Sequence, residues 1–388
     1  MTREVYLDNC ATTKAIPQVV AAMVECLERY YGNPSSLHRL GLEAEKKVAQ
    51  ARRQIAQALG CNPKELIFTS GGSESNNLAI KGATRFYRSR GNHIITAKTE
   101  HPSVLAAYES LEKEGFQVTY LDVSNTGHIC LEQLGDSMTA ATTLVSLMMI
   151  NNELGTVQPV EKAVTIVREK AVKNKVCFHV DGVQAVGMMP VNLGKLGIDL
   201  YSFSGHKFHG PKGIGGLYIK PGIQLQPIIE GGGQEGGLRS GTENVPGIVG
   251  MAKAISLVTA GMEEKISRLR RLQQQLWQGI TKEIPGCKLN SDLEQGAPHI
   301  VSISFPWVKG EVLLHYLESE GIYVSTGSAC SSRSRNISHV LAGIGLNEAE
   351  ADGTIRFSFG GDTIEDDIHY AVNKTVTGVK ELKQVMGR

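Results

Sequence analysis

Lys207 closes the run Ser202-Phe203-Ser204-Gly205-His206-Lys207, just ahead of Gly210-Pro211-Lys212-Gly213. A strand that ends there in small polar residues presents one amine at the mouth of a loop. Partly desolvated, such an amine has a lowered pKa and forms a Schiff base with a carbonyl compound. Taken alone, the segment reads first as a solvated lysine in a turn. Asp181 stands 26 residues upstream, in His179-Val180-Asp181-Gly182-Val183-Gln184. A carboxylate at the end of an apolar strand suits a bond to a pyridinium nitrogen, which it would keep protonated. An isolated aspartate there also suits a helix N-cap. The pairing of Asp181 with Lys207, each on its own strand end, favours a cofactor.

Further polar residues join them. Ser70-Gly71-Gly72-Ser73-Glu74-Ser75 connects a strand to a helix, and free N–H groups at a helix start bind anions where glycines allow close approach. Gly72 and Ser73 are the candidate phosphate contacts, with Ser204 and His206 completing the cradle from the facing loop. The segment lacks the spacing of a P-loop or of the dinucleotide fingerprint. His101, in Thr99-Glu100-His101-Pro102-Ser103, is placed to stack on a ring and move protons near neutral pH, or to serve only as a structural helix-start residue. Cys330 lies in Gly327-Ser328-Ala329-Cys330-Ser331-Ser332-Arg333-Ser334-Arg335, a polar loop without hydrophobic period. That setting predicts an exposed thiol whose thiolate Arg333 and Arg335 would favour; an incidental loop cysteine is the rival reading.

The elements that position these residues alternate in type. Residues 40–59 carry apolar side chains at three- and four-residue spacing, a helix. Strands are predicted at 66–69, 93–97, 118–121, 144–150, 176–180, 200–204 and 216–219, mostly with helical patterns between them. This alternation implies an α/β fold with a mainly parallel sheet and helices on both faces. From Val245 to about Ile284 the pattern reads as one long helix, with Arg268, Arg270, Arg271 and three glutamines on a solvated face. Strands at 299–305, 322–325 and 354–359, a helix at 311–320 and a last helix from about Ile364 form a second, smaller α/β lobe. The lobe boundary is expected near residue 255.

Composition narrows the classes. The 388 residues favour two lobes, and 41% hydrophobic with 20% charged residues suits a soluble globular protein. A formal net charge of +1 creates no field that would draw in nucleic acid or a membrane surface. The most apolar short stretch, Val145–Ile150, is too short to span a bilayer, and residues 1–8 carry no signal or transit pattern; a cytoplasmic location is expected. Seven scattered cysteines without a C-x-x-C pair argue against a disulfide framework or a zinc site.

Together these segments resemble the cysteine desulfurases of the fold-type I pyridoxal-phosphate (PLP) enzymes, the class V aminotransferase group. The resemblance covers nearly the whole chain. It runs from Tyr6-Leu7-Asp8-Asn9-Cys10-Ala11-Thr12-Thr13 and Gly32-Asn33-Pro34-Ser35-Ser36-Leu37-His38, through Asn151-Asn152-Glu153-Leu154-Gly155 and Arg239-Ser240-Gly241-Thr242-Glu243-Asn244, to Ile355-Arg356-Phe357-Ser358. Single blocks are modestly specific; the ordered set is very specific. The resemblance implies a seven-stranded sheet in a large domain (14–255), with 1–13 and 256–388 forming the small domain that carries the Cys330 loop. It implies Lys207 as the Schiff-base lysine, His101 on the ring face, Asp181 at the pyridinium and Gln184 at the phenolic oxygen. Gly72, Ser73, Ser204 and His206 would hold phosphate, with Thr242 donated by the other subunit of a homodimer. Asn152 and Arg356 would hold the substrate carboxylate; alone, Arg356 would read as a surface ion pair. L-Cysteine would lose sulfur to Cys330, and a sulfur-acceptor protein, which the sequence does not name, would take it on. A selenocysteine lyase or a plain aminotransferase is the nearest rival. A non-catalytic scaffold would be expected to have lost Lys207 or Asp181, and a dehydrogenase lacks its glycine fingerprint.

Overall fold

The structure is a computed structural model that describes residues 3–171, 175–326 and 337–385. The chain opens with β1 (Val5–Tyr6), α1 (Pro17–Arg29) and α2 (Arg39–Leu59). Strands and helices then alternate: β2 (Leu66–Thr69), α3 (Gly72–Phe86), β3 (His93–Ala97), α4 (Pro102–Lys113), β4 (Gln117–Leu121), α5 (Leu131–Ser137), β5 (Thr142–Met148), α6 (Val160–Lys170), β6 (Cys177–Asp181), β7 (Leu200–Ser204) and β8 (Gly215–Ile219). These strands form one seven-stranded sheet in the order β2-β8-β7-β6-β5-β3-β4. β8 is antiparallel to both of its neighbours, and every other pairing is parallel. All strands but β8 therefore point the same way, and their C-terminal ends meet along one edge. β3, β5, β6 and β7 are buried at every residue. That is why they read as continuous apolar runs and not as alternating ones.

Helix α2 follows its periodicity, with Ala44, Val48, Ala51, Ile55 and Leu59 buried. Gly60 ends it in the left-handed conformation, at φ 66°. Beyond the sheet come α7 (Val245–Thr259) and α8 (Met262–Glu283). The single long helix expected here is two helices bent by 74°. Ala260 turns extended and Gly261 adopts φ 63°, which a side chain would resist. Hydrophobic spacing runs through such a glycine without registering it. Nor is the Arg/Gln stretch simply a solvated face. Gln273 is buried and donates to the Ala297 and Ile300 carbonyls at 3.0 and 2.8 Å, and Arg268 donates to the carbonyls of Thr363 and Gly361.

The rest comprises β9 (Lys288–Leu289), β10 (Ile300–Ser304), α9 (Gly310–Ser319), β11 (Ile322–Tyr323), β12 (Ser325–Thr326), α10 (His339–Gly343), α11 (Glu348–Asp352), β13 (Thr354–Ser358) and α12 (Glu365–Val385). A four-stranded antiparallel sheet has the order β12-β13-β10-β9. The strand expected at 322–325 is split. β11 pairs in parallel with β1 from the N-terminus, while β12 joins β13. Val5 and Leu7 pack into a second apolar cluster with Leu269, Leu276, Val301, Ile355 and Phe357. No single helix among the described residues is long and apolar enough to cross a membrane.

Candidate active site

The strand ends gather the polar residues that the sequence scatters. Past β3 comes His101, past β5 Asn152, at the end of β6 Asp181 and Gln184, and past β7 His206 and Lys207. Ligands bind at this carboxyl edge in open α/β sheets. With Gly72, Ser73, Ser204 and Arg356 they line one cavity of about 600 Å³.

One end of this cavity gathers hydrogen-bond donors. Gly71 precedes α3 without a capping side chain, so the first N–H groups of the helix face outward uncapped. A Cβ on Gly72 would sit 2.7 Å from Val183, so the turn approaches the neighbouring loop more closely than a side chain permits. The Ser204 hydroxyl is buried beside it and has no hydrogen-bond partner among the described residues. Burial in a folded core normally demands such a partner. His206 is bonded through Nδ1 to Thr12 Oγ1 at 3.1 Å. Burial, with Lys207 and Lys212, lowers this imidazole to about 4, so it is neutral at pH 7. This donor set would suit a phosphate group.

Deeper in, Asp181 is buried and held on both oxygens. Asn76 Nδ2 donates to Oδ2 at 2.7 Å, and the Val183 N–H donates to Oδ1 at 3.0 Å. The second bond is the local cap that an isolated aspartate suggests, so capping and cavity roles coexist. His101 likewise caps α4: its Nδ1 accepts the Ser103 N–H at 3.1 Å. An accepting Nδ1 leaves the neutral ring's proton on Nε2. Burial holds His101 below the ordinary histidine value; Asp181 opposes this, while Lys207 and His339 add to it. Glu100, next to it, is buried with Oε1 accepting the Met148 N–H at 2.8 Å. Burial raises this carboxyl well above the usual range.

Lys207 lies in a short 3₁₀ turn after β7. Its Nζ donates to the carbonyls of Cys10 and, at 3.0 Å, Ala11. Gln184 Nε2 donates to the same Cys10 carbonyl at 3.0 Å. The N-terminal segment thus presents acceptors to the two donors that the family resemblance would put at the carbonyl end of a ring. A ring carrying an anionic tail, an acidic nitrogen and a reactive carbonyl fits this constellation.

Arg356 does form an ion pair, but not at the surface. It is 5% exposed, with NH2 donating to Asp8 Oδ1 at 2.7 Å and NH1 to the Asn152 carbonyl at 2.9 Å. Its Nε is buried without a partner among the described residues. A carboxylate entering the cavity meets a fixed guanidinium with a donor to spare.

Of the remaining assignments, Thr242 is exposed and does not line this cavity, and Cys330 lies outside the described residues, as do Arg333 and Arg335. Sequence reasoning missed Asn76, Asp8, Glu153 and Ser338. Each acts through a partner distant in the chain. Asn76 alone carries a local signal, falling on the α3 face whose neighbours Ser75 and Ala79 are buried.

The aminotransferase class-V family matches residues 5–370. The chain is 44% identical over 385 residues to a cysteine desulfurase IscS from Dictyoglomus turgidum, covering 99% of this chain and 97% of that one. Identity is 46% over 390 residues to the cysteine desulfurase IscS of Salmonella schwarzengrund, covering 99% and 95%. A solved NifS-like protein superposes with TM-score 0.92 at 39% identity, covering 98% of this chain and all of that one. A NifS-like protein from Rickettsia africae gives 0.86 at 31%, covering 97% and 100%. The chain belongs to the class-V aminotransferases, a family of pyridoxal-phosphate enzymes on the fold-type I α/β scaffold. Within that family it is a cysteine desulfurase of the NifS/IscS-like kind.

Proposed function

We propose that the cavity binds pyridoxal 5'-phosphate and L-cysteine together, and that sulfur leaves as a persulfide on Cys330 with release of L-alanine. The observation that carries this reading is the buried, unpartnered Ser204 hydroxyl beside the uncapped start of α3, on the same cavity as Asp181, Gln184 and Lys207. Gly72, Ser73, Ser204 and His206 would take the phosphate, Asp181 the ring nitrogen, Gln184 the phenolic oxygen and His101 the ring face. When bound, the cofactor supplies an electron sink that acidifies the substrate α-carbon and weakens its Cβ–Sγ bond. The protein's own groups do the rest. Arg356 and Asn152 orient the substrate carboxylate. Lys207 Nζ takes the α-proton and later returns one. His101 relays the substrate thiol proton, passing on its own ring proton in exchange. The Cys330 thiolate attacks the substrate sulfur: a new S–S bond forms, the C–S bond breaks, and its electron pair stays with the carbon fragment that becomes alanine.

The same reading divides the chain into residues 14–255 and residues 1–13 with 256–388, supported by the pairing of β1 with β11 and by the separate apolar cluster there. It takes the chain as a homodimer in the cytoplasm, with Thr242 completing the partner's phosphate site. Consistent with a covered face, Val20, Val24, Leu27 and Tyr31 on and after α1 are exposed. A sulfur-acceptor protein, serving iron–sulfur cluster assembly or tRNA or cofactor thiolation, takes up the sulfur. The test is chemical. Borohydride treatment of the holoenzyme should fix phosphopyridoxyl on Lys207, and L-cysteine should add one sulfur, about 32 Da, to the Cys330 peptide. Label on Lys212, or sulfur on another cysteine, refutes the assignment.

A further inference from the structure

β2 stands at the edge of the seven-stranded sheet, and side chains close its outer side where another strand would otherwise pair. The Leu66 carbonyl accepts Arg52 NH1 at 2.6 Å, and the Phe68 N–H donates to Glu235 Oε2 at 2.9 Å. Just past the strand, the Ser70 N–H donates to Glu74 Oε2 at 2.8 Å. Each of these carboxylates also carries an arginine. Arg52 NH2 donates to Glu235 Oε1 at 2.6 Å, and Arg239 Nε donates to Glu74 Oε1 at 3.0 Å. Glu235 and Arg239 belong to one glycine-rich segment, Gly231-Gly232-Gly233-Gln234-Glu235-Gly236-Gly237-Leu238-Arg239, whereas Glu74 belongs to α3.

Glu74 is the acidic residue in the first turn of α3, next to Gly72 and Ser73. A carboxylate there ordinarily stabilises a helix start. Where the same helix start is to receive a phosphate, that carboxylate repels it, because like charges at close range disfavour each other. Arg239 answers this conflict. Both side chains of the pair are largely buried, so water screens it less than a surface pair. The arginine also comes from an independently anchored segment. The Ser240 N–H donates to the Ile229 carbonyl at 3.3 Å, the Gly241 N–H to Gln234 Oε1 at 2.9 Å, and Glu235 is fixed to Arg52 and β2. Neither Glu74 nor Arg239 lines the cavity of about 600 Å³.

We propose that Arg239 is a positioning residue for the phosphate end of the cofactor: it cancels the Glu74 carboxylate and holds it turned back on Ser70, leaving the N–H groups beyond Gly71 for the incoming anion. The inference rests on the reading above that Gly72 and Ser73 receive phosphate. Two tasks that conflict at one helix start are thereby separated. Glu74 braces the Ser70-Gly71-Gly72-Ser73 turn through the Ser70 N–H, and Arg239 removes the charge that this brace would otherwise set beside a phosphate.

The test uses the full chain freed of cofactor and titrated with PLP and, separately, with pyridoxal, which has the same ring and carbonyl but no phosphate. Wild type should bind PLP at least about tenfold more tightly than pyridoxal. Arg239→Gln should weaken PLP by about tenfold and leave pyridoxal within about twofold. Arg239→Lys keeps the charge and should stay within about threefold of wild type for PLP. Glu74→Gln keeps an oxygen for the Ser70 N–H and should bind PLP no more weakly than wild type. The double variant Arg239→Gln with Glu74→Gln decides the matter: PLP affinity should return to within about threefold of wild type, because the charge that Arg239 cancels is gone. Equal losses for PLP and pyridoxal, a double variant as weak as Arg239→Gln, or a Glu74→Gln protein weaker than wild type overturns the proposal. Unchanged PLP affinity in Arg239→Gln, beside a wild-type preference for PLP, refutes the proposal alone. Should wild type hold pyridoxal as tightly as PLP, the phosphate reading fails and the proposal falls with it.

Discussion

Glu153, buried beside the cavity with its Oε2 accepting the Ser338 hydroxyl at 2.6 Å, makes Glu153→Gln a test of stability against pH. Burial is the main cause that lifts this carboxyl from 4.5 to about 7; the Ser338 hydroxyl and Arg356 pull the other way without winning. A carboxyl with a raised value in the folded protein favours the protonated form there. Its contribution to stability is present below pH 4.5 and is lost as pH rises through 7. The ionised form carries a penalty of about 3 kcal/mol, most of which develops between pH 5 and pH 8. Glutamine does not titrate, so the variant escapes this loss. Taking ~2.1 cal/mol/K of unfolding entropy per residue, 388 residues give about 0.8 kcal/mol/K, and the gap converts to about 3 °C in Tm. Thermal melts of wild type and variant should therefore diverge by that amount between pH 5 and pH 8, with the variant gaining. Buried His179 and His299, lowered to about 3, act in the opposite sense as pH falls, but they are common to both proteins and cancel in the difference. A Tm difference that stays constant with pH, or shrinks toward pH 8, refutes the reasoning.

Two further outcomes follow from the cavity. Asp181→Asn should retain cofactor yet lose at least about a hundredfold in turnover, because a neutral amide no longer favours a protonated ring nitrogen; activity within a few-fold of wild type would leave Asp181 a cap only. Arg356→Lys should raise KM for L-cysteine by about tenfold or more, since an ammonium cannot reach Asp8, the Asn152 carbonyl and a substrate carboxylate in one planar fork; an unchanged KM would place the substrate carboxylate elsewhere.

Much of the large-lobe sheet was legible because buried strands leave short apolar runs bounded by polar loops. The predicted and observed limits of the strands at 66–69, 93–97 and 200–204 coincide. The residues at their ends were legible for the same reason: Lys207, Asp181 and His101 stand where an apolar run stops. Breaks that do not disturb apolar spacing were not legible. Gly261 is invisible to periodicity because the residues on either side keep helical spacing, and the split between β11 and β12 depends on which strands they pair with. Partnerships were the largest omission. Nothing local links Asp8 to Arg356, Asn76 to Asp181, or Glu153 to Ser338, since each pair is joined only when distant segments fold together. Gln273 misled for a related reason: a polar residue in a polar run reads as solvated unless the carbonyls it satisfies are known.

The carbonyls of Cys10 and Ala11 that receive Lys207 belong to a segment held at the far end of the chain. The Leu7 N–H donates to Tyr323 at 2.8 Å, and the Leu7 carbonyl accepts the Ser358 N–H at 2.7 Å. During synthesis the first dozen residues leave the ribosome long before their partners exist. The seven-stranded sheet can be complete while Arg356 has not yet been made. Contacts so far apart in sequence form late and slowly. A nascent or prematurely terminated chain that stops before Arg356 therefore lacks one wall of the cavity, and the order of biosynthesis delays its completion until most of the polypeptide has been made.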